Sequence, residues 1–150
     1  IKIESSYANQ YAAAGDKTLI DHLKGGENYR TGNWQGYRED LIATINLGKE
    51  KEISTISLGC MQDIKSWIFF PKKVEYFSSV NGEDFTFLGT INTTFSDTLE
   101  GSFINDYTLR LKNTKAKYIK VKAKNYGICP DWHLGAGGKT WLFVDELKIN

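Results

Sequence analysis

Apolar and polar residues alternate in run after run along this chain, and a turn signal separates most of the runs. Leu41, Ala43, Ile45 and Leu47 alternate with Ile42, Thr44 and Asn46 before Gly48. That period of two is the mark of a pleated strand with one buried face. A run rich in β-branched residues, Ile53 to Leu58, follows. Pro71 precedes Val74–Ser78, Asn81-Gly82 supplies the positive φ of a tight hairpin turn, and Phe85–Leu88 returns from it. Tyr107–Leu111 and Tyr118–Ala123 read as two more strands joined by Lys112–Lys115, and Trp141–Ile149 closes the series. Helical signal is confined to Asp16–Leu23, a short turn capped by Asp16 and ended by Gly25-Gly26. Strands at this spacing predict one all-β domain over residues 1–150, a sandwich or barrel of about eight antiparallel strands.

The remaining sequence properties exclude several functions. With 150 residues the chain is long enough to bury its own core, and its net charge of +1 gives no strong field for polyanions. Lys120, Lys122 and Lys124 alternate with Ile119, Val121 and Ala123, which describes a strand with one solvated face. No aromatics interleave on the lysine side, so nucleic acid is not expected as a partner. No window approaches the ~18 apolar residues of a membrane span, and no signal-peptide pattern is present. The chain opens on Ile1-Lys2-Ile3-Glu4 without Met, and both ends read as strands. That predicts a mature product or a piece of a longer protein with a covalently linked neighbour. Cys60 and Cys129 are too few for a disulfide framework and have no metal-binding spacing; a single bridge between strand-end loops stays open.

Three segments break the alternation and collect the unusual residues. Residues 25–40 hold Tyr29, Trp34, Gln35, Tyr37 and Arg38; residues 60–70 hold Gln62, Asp63 and Trp67; residues 125–140 hold Tyr126, Asp131, Trp132 and His133. Long loops on a rigid sandwich are where binding residues concentrate. A sugar has apolar C–H faces and a rim of hydroxyls, so its site needs an aromatic platform edged by polar side chains. Trp67, Tyr126 and Trp132 are the candidate platforms, and Gln62, Asp63, Asn125, Asp131 and His133 the candidate edge. Tyr37 is expected to converge with them from the first segment.

Catalytic constellations are not legible. His22 and His133 lie far apart with no metalloprotease spacing. Asp145 and Glu146, as neighbours on a strand, are expected to point to opposite faces. Gly135-Ala136-Gly137-Gly138 opens no helix and so is no nucleotide fingerprint; it reads as a flexible turn with φ > 0. The domain by itself is therefore expected not to be an enzyme.

The motifs in order resemble a known family. Leu19-Ile20-Asp21, Gly32-Asn33-Trp34-Gln35-Gly36-Tyr37 and Ile45-Asn46-Leu47-Gly48 look like the opening of a coagulation factor 5/8 type C, or discoidin-like, domain. Trp67 to Glu75, Ser78 to Phe85, Ala116 to Val121 and Trp141 to Leu147 continue the likeness over nearly the whole chain. The last motif and Trp34-Gln35-Gly36 are similar to domains that follow the catalytic domain of bacterial family 20 glycoside hydrolases, β-hexosaminidases and chitobiases. Those domains are grouped with the family 32 carbohydrate-binding modules. The resemblance implies a jelly-roll β-sandwich of the galactose-binding-domain type, secreted, periplasmic or on the bacterial cell surface. It implies terminal sugars, N-acetylhexosamine or galactose, bound at one end. It also implies a structural Ca²⁺ held by Asp21, carbonyls around Gly25 and Gly26, Thr31 and Glu146, although His22 follows Asp21 where the family commonly has Gly. Ca²⁺ takes roughly six to eight oxygens, which such groups supply. The alternatives to a glycan-binding module are a structural domain packed on its catalytic neighbour and a phospholipid- or protein-binding relative.

Overall fold

The computed structural model describes all residues, Ile1–Asn150. Seven strands form: β1 (Lys2–Ile3), β2 (Gln35–Tyr37), β3 (Leu41–Gln62), β4 (Lys73–Ser79), β5 (Thr86–Asn92), β6 (Phe103–Ala123) and β7 (Leu142–Ile149). All pairings are antiparallel, in the order β2-β7-β3-β6-β4-β5, with β1 on β3. Helix is limited to four short 3₁₀ turns, and no helix is long and apolar enough to cross a membrane.

The count falls below eight because β3 and β6 are each one long strand where the sequence predicts two. They stay paired from Leu41↔Ala123 to Gln62↔Phe103, with the register slipping between Asn46 and Lys51 and again between Ile53 and Thr55. Gly48 (φ +82°) lies at the first slip and Asn113 (φ +50°) at the second. Their positive φ bends the ribbon where the sequence signals a break. The bent ribbon passes from one layer to the other. The first half of β3 and the second half of β6 join β1, β4 and β5; their other halves join β2 and β7.

Between the layers lies a core that includes Leu41, Ile56, Leu58, Val74, Tyr76, Tyr107, Ile119, Val121 and Val144. Each fully buried aliphatic side chain stabilises by roughly 1.5–3 kcal/mol. The Tyr76 hydroxyl crosses this core to donate to the Tyr107 carbonyl at 2.6 Å.

Local expectations need three corrections. The β4–β5 hairpin forms, but its loop spans residues 80–85 rather than two, because Asn81 Oδ1 accepts from the amides of both Glu83 and Asp84. Asp16 does not cap the first turn, which is 3₁₀ over Gly15–Ile20; its carboxylate accepts from the Tyr7 hydroxyl instead. Both cysteines are free and buried. Cys60 lies inside β3 in the main core, whereas Cys129 packs with Ile64 and Phe69 in a separate cluster.

Candidate functional site

Because β3 and β6 turn back on themselves, both ends of each return to one end of the sandwich. There the connections 38–40, 63–72, 93–102 and 124–141 meet: Leu41 and Val74 both face Ala123, and Tyr37 faces Leu142. The convergence predicted for three segments is found, joined by a fourth that the sequence reading passed over.

Most of the expected polar edge is spent on holding these loops. Asn125 is buried; its Oδ1 accepts from Gly127 N (2.8 Å) and Thr140 Oγ1 (2.7 Å), and its Nδ2 donates to the Glu39 carbonyl (3.2 Å). Gln62 is buried, with its amide divided between the Ser96 carbonyl and Phe70 N. His133 is buried, its Nε2 against the Ile64 carbonyl while Nδ1 accepts from Gly135 N. Tyr37 lies wholly in the core, bonded to Gln35. Trp67 packs beneath the third loop, where a Cβ at Gly135 would stand 2.4 Å from its ring and one at Gly138 2.6 Å. The glycine run is thus a close-packing device more than a flexible turn, and only Gly137 has positive φ. Asp63 is half-buried, while Asp131 and Trp132 are exposed.

Tyr126 is the candidate aromatic that meets a cavity. One face stacks on Phe69 (4.6 Å, 28°), and its hydroxyl donates to Asp97 Oδ2 at 2.7 Å. Burial, reinforced by that carboxylate, pushes the phenol up to about 12. A cleft of about 1050 Å³ opens beside it, lined by Arg38, Asp40, Lys72, Lys124, Tyr126 and Lys139 among others. Asn125 also borders it, and a second pocket of about 340 Å³ shares Lys72 and Tyr126. The Arg38 guanidinium lies over the Trp141 ring, 4.3 Å from its centre. Arg38, Lys72, Lys124 and Lys139 were missed as site residues because each reads as an ordinary surface charge. The one available signal was position, since all four flank strand ends at the loop-bearing end.

No family model and no curated relative matches the sequence. Solved structures do match. The C-terminal domain of a Bacteroides fragilis chitobiase is 21% identical over 99% of this chain and 91% of that one, with a TM-score of 0.56. A family 32 carbohydrate-binding module of Clostridium perfringens, solved with GalNAc-β-1,3-galactose, is 19% identical over 98% and 94%, with a TM-score of 0.58. A striped bass (Morone saxatilis) serum fucolectin is 15% identical over 98% of this chain and 44% of that one, with a TM-score of 0.62. The fold is discoidin-like.

In this discoidin-like domain the first loop is tied to β7 through two adjacent carboxylates. Leu58 faces Leu147 but Cys60 faces Val144, so β7 carries one extra residue opposite Gly59. Such a bulge breaks the strict alternation. Asp145 and Glu146 therefore both reach the first loop rather than opposite faces: Asp145 accepts from Gly25 N and Glu146 from His22 N, each at 2.9 Å. A Cβ at position 59 would lie 2.0 Å from Asp145 Oδ1, which accounts for the glycine. Lys24 brings the cation, with Nζ 2.9 Å from Asp106 and 3.7 Å from Asp145. Burial raises the Asp145 carboxyl above its ordinary value despite the Gly25 amide and Lys24, and burial likewise raises Glu146.

The expected calcium ligands lie in this loop with their oxygens engaged by the protein. The Gly26 carbonyl accepts from Trp34 Nε1, Thr31 Oγ1 donates to the Gly25 carbonyl, and Asp21 Oδ1 accepts from Leu23 N. No three His, Cys, Asp or Glu side chains converge as a metal-binding group. A carbonyl, hydroxyl or carboxylate oxygen that makes one hydrogen bond keeps a lone pair for a cation, so calcium on Asp21, the Gly25 and Gly26 carbonyls, Thr31 and Glu146 stands as a proposal.

Proposed function

We propose that the domain is a non-catalytic carbohydrate-binding module whose glycan lies in the cleft between Arg38, Lys72, Tyr126 and Lys139. The observation that carries this reading is the cleft itself. It sits at the loop-bearing end and offers an aromatic wall beside cationic side chains whose hydrogen-bond donors are unspent. Arg38, Lys72 and Lys139 take part in no ion pair and no side-chain hydrogen bond within the chain. Structures of the same fold have been solved with sugars, among them a Clostridium perfringens module with galactose. The likeness to a chitobiase C-terminal domain supports a secreted bacterial β-hexosaminidase-like parent, to which this module would add effective concentration at its substrate. The ligands are then terminal galactose or N-acetylhexosamine residues and their derivatives. Single-site affinity is weak, because an open cleft excludes little water.

A glycan array with the isolated domain, followed by titration of each hit, tests this. Binding should appear, and Arg38→Ala with Tyr126→Ala should abolish it while the melting curve stays cooperative. A folded domain that binds nothing on a broad array supports the second reading, a structural partner of the catalytic domain. The exposed Leu134 and Trp132 at the tip of the third loop favour that reading, since they suit contact with a neighbour.

A further inference from the structure

We infer that the sugar recognised in this cleft carries a negative charge, as a uronate carboxylate or a sulfate ester; this rests on the glycan-binding reading above. The argument is an account of which donors and acceptors around the cleft remain unspent. Neutral sugar hydroxyls both donate and accept, so a site for them needs free acceptors as well as free donors. Here several of the acceptors are already engaged. Asp40 gives one oxygen to Asn125 N (2.9 Å) and the other to Lys124 Nζ (3.0 Å). The Asn125 carboxamide is spent within the loops, and the Tyr126 hydroxyl is committed to Asp97. The remaining carboxylates lining the cleft are Glu4, which has no partner, and Glu39, whose Oε1 accepts from Ser6 N; both lie on the side of the N-terminal segment.

The donors, by contrast, are free and cationic. Lys72 and Lys139 border the cleft on the second and third loops without an ion-pair partner, as does Arg38 on the first. The Arg38 guanidinium rests over the Trp141 ring, a contact that limits its motion and spends none of its N–H donors. A planar guanidinium edge matches the paired oxygens of a carboxylate or sulfate, and such charge-assisted bonds are about twice as strong as neutral ones. Neutral sugar hydroxyls can accept from these cations, but only an anionic group meets them with charge-assisted bonds.

The test is matched-pair titration by calorimetry. Oligogalacturonides are compared with their fully methyl-esterified forms, and N-acetylhexosamine 6-sulfates with the unsulfated sugars. The anionic member of at least one pair should bind about tenfold more tightly at low salt, a 1.4 kcal/mol difference. Which pair shows the preference separates carboxylate from sulfate. Raising the salt should shrink the preference, and the double variant Lys72→Gln/Lys139→Gln, confirmed folded by its melting curve, should erase it. If neutral members bind as tightly as anionic ones, the charge inference fails while glycan binding stands. If no sugar of either kind binds, the glycan-binding reading fails with it.

Discussion

Asn125 and Gly135 show how single residues shape the binding end without touching a ligand. Asn125 joins the third loop to the first through Gly127, Thr140 and Glu39. Its replacement by Ala strands several buried groups, and each stranded group costs about 1–3 kcal/mol. Asn125→Ala should therefore lower unfolding free energy by roughly 2–4 kcal/mol in urea titrations. An effect within error would mean that water replaces the side chain. Gly135→Ala puts a methyl into the Trp67 ring and should cost about 1–3 kcal/mol, read in the same way. These two residues also explain what the sequence hid. Trp67, Gln62 and His133 have the chemistry of a sugar site, but residue type does not say which side of a loop a side chain faces. In each case packing took the side chain inward.

Within the elements, the β7 bulge and the first loop form a latch built on two buried carboxylates and one ammonium. Burial alone would lower Lys24, but the Asp106 hydrogen bond and Asp145 carry it above its ordinary value. Lys24→Met removes that compensation from a partly exposed pair, and a loss of about 1–2 kcal/mol is expected. Asp145 and Glu146 have the opposite pH signature to a salt-bridged carboxylate. Their folded values are raised, so the folded state binds protons more readily than the unfolded chain. Their contribution is most favourable in mild acid and is lost as pH rises through the raised folded values. The melting temperature of wild type relative to Asp145→Asn should consequently improve as pH falls from neutral toward the ordinary carboxylate range. A difference that is flat with pH would contradict the buried, raised carboxyls. If the proposed calcium binds the first loop, chelator should lower the melting temperature and Asp21→Ala should abolish that sensitivity; curves that coincide in calcium and in chelator would refute it.

For the molecule as a whole, the architecture was readable because alternation is a direct imprint of a two-layer core. Ile45, Leu58, Val121 and Val144 sit where their period placed them. The passage of β3 and β6 between layers was not readable, because Gly48 and the Lys112–Lys115 stretch signal a turn whether the chain stops or bends. The cleft was legible only in its location. Its walls come from Arg38, Lys72, Lys124 and Lys139, separate in sequence and brought together by the return of two bent strands. The decisive measurement is nuclear magnetic resonance titration of the domain with a sugar that binds on the array, following backbone amides. Shifts should concentrate at residues 38–40, 72, 124–128 and 137–139, around the cleft. Shifts confined to the 80–85 hairpin or the Trp132–Leu134 tip would place the glycan elsewhere and contradict the account.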